Sequence, residues 1–161
     1  MPDLTIREAR DNDAEGLIAL IGRCFAEYAG CVLDLDAFDR PLLAIASSFA
    51  AEGGEVWVAE REGRIVGSGG YADKGGGLFE LKRLYVDRSA RRQGLASRLL
   101  ELVETAVAGK GGTAIDLWSD TRFIEAHAFY ERHGYRRLPE MRDLADPSNT
   151  TEYHFMKELA G

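Results

Sequence analysis

The stretch Arg91-Arg92-Gln93-Gly94-Leu95-Ala96 brings two guanidinium groups and a glycine to a point where the pattern changes from strand to helix. Glu80–Val86 before it reads as a strand, whereas Leu95, Leu99, Leu100, Leu102, Val103, Ala106 and Val107 recur at helical spacing. The first turn of a helix leaves several backbone N–H groups without acceptors and carries partial positive charge. Such a turn is a natural seat for a phosphate or diphosphate. Gly94 lets a bulky anion approach the main chain, small Ala96 keeps the approach open, and Arg91 and Arg92 add fixed charge with several donors. The chemistry offered is the holding of an anionic cofactor. The same residues also suit an ordinary strand–turn–helix junction with a glycine at a tight contact, and these residues alone leave both readings standing.

Other chemistries lack their residues. No GxxxxGK[ST] string exists, and Gly94-Leu95-Ala96 supplies only a fragment of a GxGxxG fingerprint. No G-x-S-x-G is present for a serine nucleophile. His127 and His133 have no carboxylate or cysteine partner at ligand spacing, so they read as helix-surface or packing residues and no metal site is expected. Cys24 and Cys31 match neither CxxC nor a metal pattern and read as two reduced thiols.

Charge narrows the ligand further. The chain carries a net −7, which disfavours a nucleic-acid surface. Between Leu81 and Arg98, however, six basic residues stand against the single acid Asp87. A basic island in an acidic protein suits a small anion better than a polyanion, although a solvated basic helix face would look the same. No apolar run approaches the ~20 residues of a membrane span, and Met1-Pro2-Asp3-Leu4 lacks a secretion pattern, so no membrane partner and a cytoplasmic location are expected.

The elements that must position this turn follow from periodicity. Leu4–Ala9 alternates as a strand, and a helix capped within Asp11–Asp13 runs toward Gly30. A second helix begins after Asp39, with Pro41 in its first turn and Gly53-Gly54 at its end. Glu55–Glu60 and Ile65–Tyr71 flank Glu62-Gly63-Arg64 as a hairpin, and a flexible Asp73–Gly77 loop leads into a strand at Leu78–Val86. The helix beginning near Gln93 closes at Gly109 and Gly111-Gly112, and Thr113–Ser119 is another strand. A helix capped by Asp120 or Thr121 runs to about His133, before closing strands at Tyr135–Leu138 and Tyr153–Leu159. The order β-α-α-β-β-β-α-β-α-β-β predicts one α/β domain, a mixed sheet with helices packed against it.

Arg91–Ala96 resembles the Q/R-x-x-G-x-G/A signature of the GNAT superfamily of N-acetyltransferases. Glu80–Val86 looks like the family's fourth strand, and Ala126–Tyr135 is similar to its second block, A-x-x-x-Y-E-x-x-G-F/Y. The resemblance spans the chain and implies one N-acetyltransferase domain over residues 1–161, an α/β fold with a mixed, mostly antiparallel sheet and helices on both faces, that moves an acetyl group from acetyl-CoA to a primary amine in a ternary complex. It implies that backbone at Leu84, Tyr85 and Val86 binds the pantetheine arm, with the partner strand at Ile115–Ser119. The diphosphate would rest on the N–H groups of Gln93, Gly94, Leu95, Ala96 and Ser97, beside Arg91 and Arg92, and the N–H near Leu84 would polarise the acetyl carbonyl.

By the same resemblance Glu80 is the candidate base, needed because an ammonium of pKa ~10.4 must lose a proton before it attacks. A surface carboxylate paired with Lys82 or Arg83 is the plainer reading of Glu80. Tyr130 is the candidate acid for the departing thiolate, against a plain reading as a core aromatic sharing a helix face with Ala126 and His133. The family's asparagine seven residues before that tyrosine is replaced here by Phe123, leaving Thr121 or Arg122 to substitute. The acceptor, a small molecule or a peptide, would enter past residues 25–49, where Phe25, Tyr28, Asp34, Asp36 and Asp39 offer an entrance suited to a cation. Family members are often dimers, so a homodimer is compatible with the resemblance. A coenzyme-A-binding module without turnover and a transferase for a longer acyl chain stand beside the main reading.

Overall fold

The computed structural model describes residues 3–160; residues 1, 2 and 161, which open and close the expected domain, lie outside the described residues. Seven strands form one sheet in the order β1-β2-β3-β4-β5-β7-β6. They are β1 (Leu4–Glu8), β2 (Glu55–Arg61), β3 (Arg64–Gly75), β4 (Leu78–Val86), β5 (Ala114–Asp120), β6 (Arg136–Asp143) and β7 (Thr151–Glu158). Every neighbouring pair is antiparallel except β4 and β5, which run parallel. The helices are α1 (Ala14–Phe25), α2 (Ile45–Ala51), α3 (Leu95–Gly109) and α4 (Ile124–Arg132), so the expected element order and the mixed sheet are both observed.

Two apolar layers hold the sheet between the helices. On one face Leu17, Leu20, Ile21 and Cys24 of α1 and Ile45 and Phe49 of α2 pack on Val56, Val58 and Ile65. On the other, Leu100, Val103 and Val107 of α3 meet Phe79, Leu81, Ile115 and Leu117. These α3 positions repeat every three or four residues, and each fully buried aliphatic side chain contributes about 1.5–3 kcal/mol. Gly70 explains how α2 comes so close to β3: a Cβ there would stand 2.5 Å from the Glu55 carbonyl oxygen and 2.7 Å from the Phe49 ring.

Local boundaries depart from the sequence reading for identifiable reasons. The Asp73–Gly77 segment is largely strand rather than loop, since Asp73 pairs with Phe79 and Gly75 with Leu78, leaving the turn to Gly76 and Gly77. Hairpin pairing with the adjacent β4 overrode the low strand propensity of glycine. The second helix opens as a 3-10 turn at Arg40–Ala44 before becoming α-helical. Helix α3 begins at Leu95 rather than Gln93. Neither Asp120 nor Thr121 caps α4; Phe123 does, because Asp120 is taken by Arg122, accepting its N–H at 2.9 Å and its guanidinium at 2.7 Å. β6 reaches Asp143, well past Leu138, through its pairing with β7.

Candidate active site

Two features of β4 shape the centre of the molecule. It carries one extra residue opposite β3, where Ser68 pairs with Tyr85 but Gly70 pairs with Lys82, and Arg83 at that bulge has φ +59°. A side-chain-bearing residue in this left-handed region costs about 1–2 kcal/mol. Three bonds hold it: the Ser68 hydroxyl donates to the Arg83 carbonyl at 2.7 Å, and the Arg83 guanidinium donates to Asp39 at 2.8 Å and to the Phe38 carbonyl at 3.0 Å. The bulge reverses the alternation of β4. Before it, Phe79 and Leu81 face α3, while Lys82 reaches Glu52 at the end of α2. After it, Leu84 and Val86 join the α3 side, and the Tyr85 ring stacks edge-on with Phe25 of α1 at 5.9 Å.

The second feature is a parting of strands. β4 and β5 pair only at Leu78–Ala114, Phe79–Ile115 and Glu80–Asp116, then diverge, although β4 continues to Val86 and β5 to Asp120. The Asp87 N–H donates to Val66 of β3 at 2.8 Å, so by the two-residue period the polar backbone groups of Leu84 and Val86 point toward the gap. Apart from the Val86 carbonyl, which accepts from Arg91 Nε at 3.0 Å, this is open sheet edge inside the molecule, suited to an amide-bearing arm.

At the wide end of the gap stands α3. Its N-cap, Gly94, has φ +76° and no side chain to offer the first turn. The first intrahelical bond runs from Arg98 N–H to the Gly94 carbonyl at 3.0 Å, so the amides of Leu95, Ala96 and Ser97 lack helical acceptors. No acidic side chain occupies this turn, and a Cβ built on Gly94 would meet nothing within 4 Å. Open space over unserved amides fits an anion. Arg92 is exposed beside it with φ +62°.

The remaining expected contacts have other partners. Arg91 forms a two-pronged pair with Glu27, both contacts 2.7 Å, and donates from Nε to the Val86 carbonyl at 3.0 Å. It ties the end of α1 to the end of β4, and its fork is engaged by Glu27. Gln93 accepts from Arg61 at 2.6 Å, and the Ser97 hydroxyl lies 3.0 Å from His133 Nε2. Thr121 is half-buried, its N–H donating to the Thr151 carbonyl at 2.9 Å. Phe123 stacks against Tyr28 at 4.8 Å and Phe25 at 6.3 Å, completing with Tyr85 an aromatic wall on the α1 side. Asp39 braces its own loop by accepting from the Asp34 N–H at 2.7 Å, whereas Asp36 is exposed.

Asp87 anchors the turn that leads to this seat. It caps Arg88–Ala90, accepting from the Ser89 N–H at 3.1 Å and from the Ser89 hydroxyl, and pairs with Arg23 at 2.6 Å. Burial pushes its carboxyl upward, but the Ser89 and Arg23 bonds prevail and hold it at about 2. An unfolded aspartate titrates near ~3.9, so the carboxylate stabilises the fold by about 2 kcal/mol above that pH. The contribution disappears as pH falls through about 2. Asp87→Asn is accordingly expected to lower urea stability at neutral pH by about 2 kcal/mol, with the difference from wild type narrowing between pH ~4 and ~2.

Glu80 lies on the last rung before the strands part; its side chain is 12% exposed and pairs with Lys74 at 3.1 Å. Tyr130 is buried in the α3-side layer near Tyr135 and Phe155, and its hydroxyl has no hydrogen-bond partner among the described residues. Burial, and then the charge Tyr85 would carry on ionising, raise the proton affinity of that hydroxyl, keeping it a donor. Burial likewise pushes Tyr85 up to about 12 and the Cys24 thiol up to about 11, which keeps Cys24 from acting as a nucleophile. His127 is a buried packing residue, its Nε2 2.9 Å from the Asp120 carbonyl. Among the described residues no group of three or more His, Cys, Asp or Glu side chains is arranged to hold a metal ion.

Sequence reasoning overlooked a polar cluster on the α1 side of β5, β6 and β7. Asp116 and Glu140 flank His154 at 2.8 and 3.0 Å, and Trp118 stacks on that imidazole at 4.1 Å. Arg142 lies over Trp118 and pairs with Glu152 at 2.7 Å; burial raises the Glu152 carboxyl. The signal was present as polar residues at every second place in Asp116-Leu117-Trp118 and Glu152-Tyr153-His154, but only β5–β7 pairing brings them together.

Comparison with known proteins agrees with this geometry. Residues 52–137 match the family model described as "Acetyltransferase (GNAT) domain". An IAA acetyltransferase of Azospirillum brasilense is 30% identical over 142 residues, covering 84% of this chain and 86% of that protein. A GNAT-family acetyltransferase structure from Staphylococcus aureus Mu50 superposes with a TM-score of 0.84 at 24% identity, covering 98% of this chain and all of the other, a likeness of fold. So does PaiA N-acetyltransferase of Thermoplasma acidophilum, solved in complex with coenzyme A: TM-score 0.75 at 18% identity, covering 98% and 99% of the two chains.

Proposed function

The chain belongs to the GNAT family of acetyltransferases, and we propose that it acts as one domain transferring an acetyl group from acetyl-CoA directly to a primary amine. The observation that carries this reading is the parting of β4 from β5 after Glu80, with an uncapped helix N-terminus at the open end. The pantetheine arm lies along the exposed edge of Leu84, Tyr85 and Val86, and the diphosphate rests on the amides of Gln93, Gly94, Leu95, Ala96 and Ser97. Arg92 adds charge at the surface; Arg91, bound to Glu27, supports the loop from beneath, and Thr121 lies at the far strand of the gap.

The acceptor arrives as an ammonium and gives a proton to Glu80, directly or through a water. The free amine attacks the thioester carbonyl, whose oxygen takes negative charge and a hydrogen bond from the backbone N–H near Leu84. The carbon–sulfur bond then breaks as the amide forms; the proton shed by the amide nitrogen passes through solvent to the sulfur side, where the Tyr130 hydroxyl hydrogen-bonds the leaving thiolate or protonates it and regains its own proton.

Calorimetry with acetyl-CoA and with coenzyme A, followed by thiol release across a panel of primary amines, tests the reading. Both thiol compounds should bind, and at least one amine should release free thiol. Binding without release from any amine would make the chain a coenzyme-A-binding module, and no binding at all would remove the reading. Tyr130→Phe should keep fold and affinity, because its hydroxyl has no partner to lose, while turnover falls about tenfold, a modest effect since a thiol is already a good leaving group. Loss of folding in that variant would mark Tyr130 as a core aromatic only.

A further inference from the structure

Asp116 is 4% exposed, and one of its two oxygens is engaged. Oδ2 accepts from His154 Nε2 at 2.8 Å, and the ring is fixed from its other side by Glu140 at 3.0 Å and from its face by Trp118. Oδ1 is buried without any hydrogen-bond partner. A buried carboxylate oxygen left bare is expensive and calls for an explanation. So elaborate a clamp on one oxygen fixes where the other points.

On β4 the sheet sets a second carboxylate beside Asp116. Asp116 is the rung partner of Glu80 on the last pair before β4 and β5 diverge, and neighbouring strands lie about 4.8 Å apart. The Lys74 ammonium pairs with Glu80 and also feels the charge of Asp116, so both carboxylates look to the same side of the sheet. The other charged groups around the pair are His154 and Glu152 on β7 and Glu140 and Arg142 on β6, with Arg142 and Glu152 bound to each other.

We infer that Asp116 is a positioning residue for acetyl transfer, whose free oxygen accepts the hydrogen bond of Glu80 once Glu80 has taken the substrate's proton. The inference rests on the reading of Glu80 as base. The step balances: the N–H bond of the ammonium breaks, its electron pair stays on nitrogen for attack, an O–H bond forms on Glu80, and that hydrogen is shared with Asp116 Oδ1. The proton later leaves from Glu80 to water, and Asp116 never touches the acceptor. After proton transfer the two side chains are joined by a charge-assisted hydrogen bond, which holds the protonated Glu80 in place while the amine attacks.

Asp116→Asn tests this on the full chain, with acetyl-CoA and whichever amine of the panel releases thiol. At neutral pH kcat should fall about tenfold while KM for the amine stays within about twofold, since Asp116 acts on the proton that Glu80 takes and never touches the acceptor. Affinity for coenzyme A by calorimetry should not change. Asp116→Asn combined with Glu80→Gln should be no slower than Glu80→Gln alone, because Asp116 acts only through Glu80. An unchanged kcat, a loss confined to KM, or additive losses in the double variant overturns the inference while leaving Glu80 as base. Wild-type turnover in Glu80→Gln instead overturns the base assignment, and with it this role for Asp116. Should asparagine at 116 prevent folding, Asp116→Ser, which still offers His154 a hydroxyl, carries the same readouts.

Discussion

Gly94→Val is expected to weaken binding of acetyl-CoA and coenzyme A by about 100-fold, or about 2.7 kcal/mol, with the protein still folded. Gly94 sits at φ +76°, a conformation that costs a β-branched residue about 1–2 kcal/mol. A Cβ there would meet nothing within 4 Å beyond the neighbouring residues, so the first added carbon brings backbone strain without a clash. What the added atoms would occupy is the space over the amides of Leu95, Ala96 and Ser97, where the diphosphate is proposed to rest. Calorimetry reads the affinity and a thermal melt reads the strain. Gly94→Ala should be milder on both counts. Retained affinity in the valine variant would move the anion seat away from this turn.

Glu80→Gln should lower kcat about 100-fold at neutral pH, the lower end of what a positioned base supplies. The amide keeps an oxygen for Lys74, which pairs with Glu80 at 3.1 Å, so the fold and coenzyme A affinity should persist. The diagnostic is the pH profile. Without a base, turnover must wait for free amine in solution and should climb about tenfold per pH unit toward the ammonium pKa of ~10.4. A variant with undiminished turnover and an ordinary profile would send the search to Glu152, on β7 beyond the gap, whose carboxyl burial already raises.

Much of this was legible in the sequence because it is written locally. The helical period from Leu95 to Val107, the glycine before it and the strand ending at Val86 are all short-range patterns, and the structure reproduces their order. Arg91 illustrates the limit. Its spacing from Gly94 suggested a phosphate ligand, but Glu27 lies 64 positions away along the chain and no period connects the two. The bulge at Arg83 was invisible for a related reason: nothing in Lys82-Arg83-Leu84 demands a left-handed residue until Ser68 and Asp39 arrive to hold it. Asp116 and His154 share that fate, being 38 residues apart and joined only by strand pairing.

The short ladder between β4 and β5 has a mechanical meaning. Three rungs stitch one four-stranded panel to one three-stranded panel, whereas β5 and β7 share seven. Backbone cohesion across the middle of the protein is therefore thinnest where its cargo is proposed to slide in. An arm that bonds to the bare edge supplies the missing stitches, so loading and stiffening become a single event. Emptied, the two panels are joined by that brief seam, the oily layer beneath α3 and the contacts of Tyr28 and Val32 with Phe123 and Ser148, and the scaffold is loosest just when it must admit the next guest.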